Sequence, residues 1–183
     1  MVLISVFFEA LKAIDLQTAE KAEAFVLNSG PLNPNRQFYT KTELKNGLEL
    51  IAGGYVHAEF PSGTNYNLSS AQLYDPKTGK WTETGEMTTV RYGHAAVLLG
   101  DGRVLVAGGG DGKAPLMTAE LYDPKSGTWT KTGSLNKSHG NQATLRADGK
   151  AMIYAGGWYP GAPTFDKELY DPFTGVWEVI SNR

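Results

Sequence analysis

The sequence predicts an all-β fold built from three copies of one unit, and two recurring phrases carry this prediction. The first phrase is Leu-Tyr-Asp-Pro followed by Gly and then Trp, and it occurs at residues 73–81, 121–129 and 169–177, in steps of 48 residues. The second phrase is Ala-Gly-Gly, and it occurs at residues 52–54, 107–109 and 155–157. A fixed period near 50 residues indicates a repeat architecture, in which each copy forms one supersecondary unit.

The middle copy contains four predicted strands, at residues 94–99, 103–107, 119–122 and 128–132. Gly100-Asp101-Gly102 joins the first two, and Gly readily adopts the positive φ that tight hairpin turns require. The Asp-Pro-Lys-Ser-Gly stretch at residues 123–127 predicts a turn between the last two strands. Four antiparallel strands in each period, marked by glycine and aromatic residues, are typical of a β-propeller blade. We therefore predict a partial propeller of three four-stranded blades.

The repeat spacing predicts blades at residues 30–84, 85–132 and 133–183. The first copy is seven residues longer than the others, and its extra residues fall within residues 55–70. Residues 1–29 fit the period poorly and are predicted to be an N-terminal extension. Good helix formers favour a helix over residues 8–22, whereas residues 24–29 are interpreted as worn strands of a preceding blade.

These residues resemble the kelch repeat. An apolar strand ends in Gly-Gly, a spaced Tyr follows, and a Trp stands about seven residues later, in a pattern that covers residues 30–180. The resemblance implies a kelch β-propeller. Because kelch propellers include partner-binding proteins and several unrelated enzymes, the resemblance alone does not assign a function.

The repeated residues are predicted to be structural. The Tyr and Trp of each copy supply large apolar area with which a blade packs on its neighbours. The Asp that follows each Tyr stands at an equivalent turn every time, which favours turn capping over catalysis. Function is therefore sought where the copies differ.

In propellers that this chain resembles, the ligand site lies on the face that carries the loops entering strand one and joining strands two and three. The resemblance implies that Arg36 and Arg91 contact carboxylates there, as in kelch proteins that bind acidic peptides, and guanidinium groups suit carboxylate geometry. The alternative is that both arginines bond to the backbone of neighbouring loops. Trp158 and Tyr159 either stack on a sugar, anchor a peptide or cover an open end of the core. The candidate ligand-binding residues are Arg36, Arg91 and His139 where strand one begins, Tyr39, His94 and Gln142 three residues later, and Trp158 and Tyr159.

No catalytic residue, metal ligand or cofactor site is predicted. The chain has no cysteine, whereas galactose-oxidase-like kelch enzymes need a cysteine-linked tyrosine, and its three histidines lack metal-ligating spacing. The net charge of −2 predicts neither nucleic-acid nor membrane-surface binding, and no apolar run reaches the ~20 residues of a membrane span. Zero cysteines fit a reducing compartment, so the cytoplasm is the expected location, with secretion left open.

Three blades do not close a ring, since propellers have roughly 4–8 blades. We expect the chain to self-associate as a homodimer or larger assembly that closes the ring, unless it is a fragment of a longer propeller. The predicted function is non-catalytic binding of a ligand or protein, with an acidic peptide or a carbohydrate as candidate ligands. The alternatives are a kelch-type enzyme, such as a sugar mutarotase or isomerase, and a purely structural assembly module.

Overall fold

A computed structural model describes residues 36–58, 64–138, 142–154 and 167–180. The predicted helix over residues 8–22 and the predicted worn strands at residues 24–29 lie outside these ranges. The strands, in chain order, are β1 (Arg36–Gln37), β2 (Thr40–Glu43), β3 (Glu49–Ala52), β4 (Tyr55–Ala58), β5 (Thr64–Asn67), β6 (Ala71–Asp75), β7 (Lys80–Glu83), β8 (Ala95–Leu98), β9 (Val104–Ala107), β10 (Ala119–Asp123), β11 (Thr128–Thr132), β12 (Gln142–Leu145), β13 (Ala151–Tyr154), β14 (Lys167–Asp171) and β15 (Val176–Ile180).

Twelve of these strands form three four-stranded antiparallel sheets. Blade 1 has the order β2-β3-β6-β7, blade 2 the order β8-β9-β10-β11, and blade 3 the order β12-β13-β14-β15. Strand β8 lies between β2 and β12, so the first strands of the three blades are neighbours at the inner side of the structure. The predicted all-β class and partial propeller of four-stranded blades are confirmed. Within the described ranges, no helix is long and apolar enough to cross a membrane.

The longer first copy contains a hairpin that has no counterpart in the described second copy. Strands β4 and β5 pair with each other, and β4 also pairs with β1, so the three strands form a separate small sheet. This hairpin falls inside residues 55–70, where the repeat spacing places the extra residues. The hairpin itself was not predicted, although Pro61-Ser62-Gly63 is a turn signal, because residues 55–70 lack the stronger Asn-Gly or Asp-Gly signal.

Blade 3 departs from the period by one residue. Tyr122 pairs with Val104 in blade 2, whereas Tyr170 pairs with Ala151, one residue before the position that a 48-residue step gives. As a result, Gln142 pairs with Tyr154 and takes the place of Ala95. The expectation that Gln142 occupies the same place as His94 is therefore wrong, because the first two strands of blade 3 have shifted relative to the last two.

The core lies between the blades. Leu50, Ala52, Val104, Tyr122 and Trp129 belong to the cluster between blades 1 and 2. A second cluster between blades 2 and 3 includes Leu105, Leu121, Ile153, Tyr170 and Trp177. The prediction that the repeated aromatic residues are structural is confirmed in blades 2 and 3, where all four rings are buried.

Each buried Tyr-Trp pair bonds to the end of the last strand of the preceding blade or to the residues directly after it. The Tyr122 hydroxyl lies 2.7 Å from Thr84 Oγ1, and Trp129 Nε1 donates to the Gly85 carbonyl at 2.7 Å. One period later, Tyr170 contacts Thr132 at 2.6 Å and Trp177 Nε1 donates to the carbonyl of Gly133 at 2.7 Å. Glycine is required at position 85 because a Cβ there would lie 2.3 Å from the carbonyl oxygen of Gly127.

Candidate functional site

Arg91 stands just before the first strand of blade 2 and is completely buried. Its Nη2 donates to Glu120 Oε1 at 2.8 Å in an ion pair whose side chains are both 0% exposed. Its Nη1 donates to the carbonyls of Gly108 and Thr118, at 3.0 and 3.1 Å. Burial lowers the pKa of Arg91, and the bond to Glu120 opposes that effect. The guanidinium group therefore links the end of strand β9 to the start of strand β10.

Arg36 occupies the corresponding place in blade 1. Its Nε donates to the Gly53 carbonyl at 2.8 Å and its Nη2 to the Ser70 carbonyl at 2.7 Å. Burial lowers its pKa to about 10, although the nearby Glu83 carboxylate opposes the shift. Both arginines thus bond to backbone of their own blade, which is the structural alternative that the sequence left open.

His94 is buried where strand β8 meets blade 1. Its Nε2 lies 2.9 Å from the Thr40 hydroxyl, and its Nδ1 is buried with no hydrogen-bond partner among the described residues. Burial lowers the pKa of His94 to about 3, and the charges of Arg91 and Arg36 act in the same direction. The imidazole is therefore neutral at physiological pH and belongs to the packing between blades.

Stability should fall in mild acid because of His94. Its pKa is 6.5 when unfolded and about 3 when folded, so the unfolded chain binds the proton first. The contribution is fully present above pH 6.5 and is lost as the pH falls toward 3, at about 1.4 kcal/mol per pH unit. We expect urea denaturation to show a loss of about 1 kcal/mol between pH 6.5 and 5.5 from this group.

The matched variant is His94→Gln, which retains a hydrogen-bonding group for Thr40 but cannot titrate. His57 and His139 are present in both proteins, so the difference between the two pH profiles reports His94 alone. Equal losses in the two proteins between pH 6.5 and 5.5 would show that His94 does not control this transition.

Three aromatic rings meet at the end of the blades where the first strands begin. Phe38 stacks on Tyr55 with ring centroids 5.6 Å apart and an interplanar angle of 16°, and Tyr55 meets Tyr92 edge-on at 5.6 Å. The Tyr55 hydroxyl donates to Gln37 Oε1 at 3.1 Å. We call Phe38, Tyr55 and Tyr92 the aromatic cluster. Phe38 is 49% exposed, so part of the cluster reaches solvent.

Phe38 is held in a strained conformation. Its φ of 54° makes it the one non-glycine residue with positive φ in the described ranges, and such a conformation costs a side-chain-bearing residue roughly 1–2 kcal/mol. Its carbonyl accepts a bond from the Gly93 amide at 2.8 Å. Gly54 lets the chain pass beside it, because a Cβ there would lie 2.5 Å from the carbonyl oxygen of Gln37.

The hairpin and a loop of blade 2 frame the aromatic cluster. Asn67 of β5 donates from Nδ2 to the carbonyl of Asp111 at 2.9 Å. The Asp111 carboxylate accepts bonds from the amides of Lys113 and Ala114, both at 2.8 Å, and these bonds lower its pKa. The surroundings of the cluster are therefore organised by side-chain bonds between two blades.

The structure brings together only part of the predicted site. Arg36, Arg91 and His94 lie close together but are buried, Tyr39 is half-buried, and Gln142 is exposed on β12 of blade 3. His139, Trp158 and Tyr159 lie outside the described residues. The sequence reasoning missed Phe38 and Tyr92, although each stands in a stretch where the copies differ. In the part of the chain that the structure describes, no group of three or more His, Cys, Asp or Glu could hold a metal ion.

Comparisons with known proteins agree with this architecture. The family model of the Kelch motif matches residues 91–136. No curated protein sequence matches the chain. YjhT, a kelch-repeat propeller, is similar in structure with a TM-score of 0.64 and 18% identity, over 83% of this chain and 54% of YjhT. A novel fungal alcohol oxidase with catalytic diversity among the AA5 family, in complex with copper, is similar with a TM-score of 0.55 and 22% identity, over 79% of this chain and 30% of the oxidase.

At these identities the structural similarity concerns the fold, and the chain spans about half of YjhT and about a third of the oxidase. The motif match covers blade 2, whose residues set the pattern that blades 1 and 3 repeat. The Kelch motif match at residues 91–136, together with the four-stranded blades and the recurring Tyr-Asp-Pro, Gly-Gly and Trp residues, gives this chain a β-propeller fold with a Kelch motif in blade 2.

Proposed function

We propose that this protein is a non-catalytic binding propeller whose ligand contacts the aromatic cluster. A kelch propeller supports a binding or a structural role, and the observation that favours binding is the strained, half-exposed Phe38. Residues kept in costly backbone conformations concentrate at functional sites, because the surrounding structure must stabilise them. A half-exposed phenyl ring held there and stacked on Tyr55 is a rigid apolar contact surface.

The proposed ligand is a carbohydrate rather than an acidic peptide. The guanidinium groups of Arg36 and Arg91 bond to backbone and to Glu120, so an acidic peptide would have to break those bonds. A sugar ring offers a flat face of C–H groups that suits an aromatic ring, with hydroxyls around its edge. Gln37 and the Tyr55 hydroxyl supply polar groups beside the exposed ring, as ligand sites with a few placed polar groups require.

Replacing Phe38 by alanine should weaken carbohydrate binding at least tenfold, because it removes the half-exposed aromatic ring of the cluster. The full chain would be tested on an array of neutral oligosaccharides and on a library of acidic peptides, and affinities would be measured for the best binders. The matched control is Phe173→Ala, since Phe173 is 98% exposed on the turn between strands three and four, at the opposite end of the blades. Binding of acidic peptides that is unaffected by Phe38→Ala would contradict the proposal.

We also propose that a second copy of the chain completes the ring through the open face of blade 3. Because Tyr170 and Trp177 point toward blade 2, the alternate residues Met152, Tyr154 and Leu169 belong to the opposite face. That face also carries Gln142 and Lys167, where blade 2 has Ala95 and Ala119. The joint should therefore be more polar than those between blades 1, 2 and 3.

Light scattering across micromolar concentrations should show a particle heavier than the 19.8 kDa of one chain. The variant Met152→Lys should shift the distribution toward the single chain, because it places a charge in the joint. A particle of one chain's mass at every concentration would contradict self-association while leaving the binding proposal intact.

A further inference from the structure

Part of the face of blade 1 turned away from blade 2 is buried in the manner of an interface between blades, whereas Tyr74 and Trp81 on the same face are half-buried. At its inner part, Ile51 is 1% exposed, Gln72 6% and Arg36 7%. Their counterparts in blade 2, which lie against blade 1, are Val106, Glu120 and Arg91, all 0% exposed. Ile51 belongs to neither of the two core clusters. Blade 2 therefore does not account for the burial of Ile51.

The two described joints between blades define what a neighbour must supply to such a face. The last strand of the preceding blade gives a hydroxyl, from Thr84 or Thr132, to the Tyr of the next blade. The following Gly gives its carbonyl to the Trp. Two residues later comes a buried apolar side chain, Met87 or Leu135. The backbone amides just after it bind the carboxylate of Glu120 or Glu168.

The same order of residues stands ahead of blade 1. Residues 132–136 read Thr-Gly-Ser-Leu-Asn, and residues 29–33 read Ser-Gly-Pro-Leu-Asn. The Gly precedes the first-strand arginine by six residues both at Gly30, before Arg36, and at Gly85, before Arg91. Ser29 thus offers the hydroxyl for Tyr74, Gly30 the carbonyl for Trp81, and Leu32 the apolar side chain.

Blade 1 and the segment ahead of it each depart from this pattern at one residue. The two departures are complementary. Glu120 accepts bonds from the amides of Thr88 and Thr89, at 2.6 and 3.2 Å, and so uses both carboxylate oxygens. In blade 1 the carboxylate is replaced by Gln72, which has one acceptor oxygen, and its Nε2 donates to Glu83 at 2.7 Å. The residue that corresponds to Thr89 is Pro34, which has no amide hydrogen to donate. One donor on one side therefore meets one acceptor on the other.

We propose that residues 25–33 of this same chain cover the open face of blade 1, as the fourth strand and following link of a preceding blade. The Ser29 hydroxyl then bonds to Tyr74, the Gly30 carbonyl accepts from Trp81, and the Asn33 amide donates to Gln72. A second copy fits this place less well through its own last strand. There the residues corresponding to Thr132 and Gly133 are Ile180 and Ser181, which supply neither the hydroxyl nor the glycine.

A double-mutant cycle tests the proposed Tyr74–Ser29 bond in the full chain. Tyr74→Phe and Ser29→Ala each remove one hydroxyl, and each should lower the folding equilibrium constant about fivefold, the effect of one net hydrogen bond. The double variant should be no less stable than either single variant, because both remove the same bond. The matched control cycle is Tyr122→Phe with Thr84→Ala, at a joint whose bond measures 2.7 Å.

Additive losses, about twenty-fivefold in the double variant, would overturn the proposal, as would a Ser29→Ala variant as stable as the unmodified chain. Each cycle is measured at about 1 and about 50 μM protein. A coupling that appears only at the higher concentration would identify residues 25–33 of a second copy as the occupant, and would overturn the assignment to the same chain. Carbohydrate binding at Phe38 does not enter either outcome.

Discussion

Replacing Arg91 by alanine is expected to lower the free energy of unfolding by about 3–5 kcal/mol. The change leaves Glu120 buried and charged, with only the amides of Thr88 and Thr89 to stabilise it. It also removes the donors that Arg91 gives to the carbonyls of Gly108 and Thr118. Urea denaturation at pH 7 measures the loss.

The surface ion pair between Arg103 and Asp101 provides the matched control. Its side chains are 35% and 44% exposed, and Arg103 also donates to the carbonyl of Pro172 at 3.2 Å, so Arg103→Ala should cost no more than about 2 kcal/mol. The double variant Arg91→Met with Glu120→Gln should recover part of the stability that Arg91→Met loses, because it leaves no unpaired buried charge. Equal losses for Arg91→Ala and Arg103→Ala would mean that the buried pair does not hold blade 2 together.

Replacing Trp129 by alanine should also cost about 3–5 kcal/mol, the usual range for emptying a buried aromatic site. The ring packs on Tyr122 at 5.0 Å, lies in the cluster between blades 1 and 2, and donates to the Gly85 carbonyl. The variant opens a cavity and leaves that carbonyl without its donor. Thermal and urea denaturation should both report the loss.

Asp101→Ala is the control for Trp129, since Asp101 lies in an exposed hairpin turn and accepts bonds from the amide and side chain of its neighbour Arg103. Its loss should stay below about 1 kcal/mol. If both variants melt at the same lowered temperature, the Trp rings do not carry the packing between blades.

The blade architecture was predictable because its determinants are local and repeated. The Asp-Gly hairpin turn, the Asp-Pro turn and the alternation around Trp129 each act within a few residues of sequence, and the structure has strand β11 at the predicted bounds. A period that recurs three times then converts weak local signals into one architecture. The single-residue shift of blade 3 is visible in the sequence, because Asp148-Gly149 follows Asp101-Gly102 by 47 residues, but the uniform 48-residue alignment overlooked it.

The candidate site was less predictable because it depends on partners distant in sequence. Arg91 is buried because Glu120, 29 residues later, lies against it, and nothing in the spacing of Arg91 reveals that pairing. The aromatic cluster joins Phe38, Tyr55 and Tyr92 from two blades, and nothing in the spacing of these three residues reveals that they meet. The ligand roles of His139, Trp158 and Tyr159 remain predictions.

Each buried Tyr-Trp pair bonds to the blade that precedes it in the sequence, so the two described joints have the same N-to-C-terminal order. A blade leaving the ribosome meets acceptor groups on a strand that was synthesised before it, so assembly can proceed from the N-terminus without waiting for later sequence. Loosening blade 1 should therefore raise the amide hydrogen exchange of blade 2 more than loosening blade 3 does. Local unfolding should therefore propagate mainly from blade 1 toward blade 3.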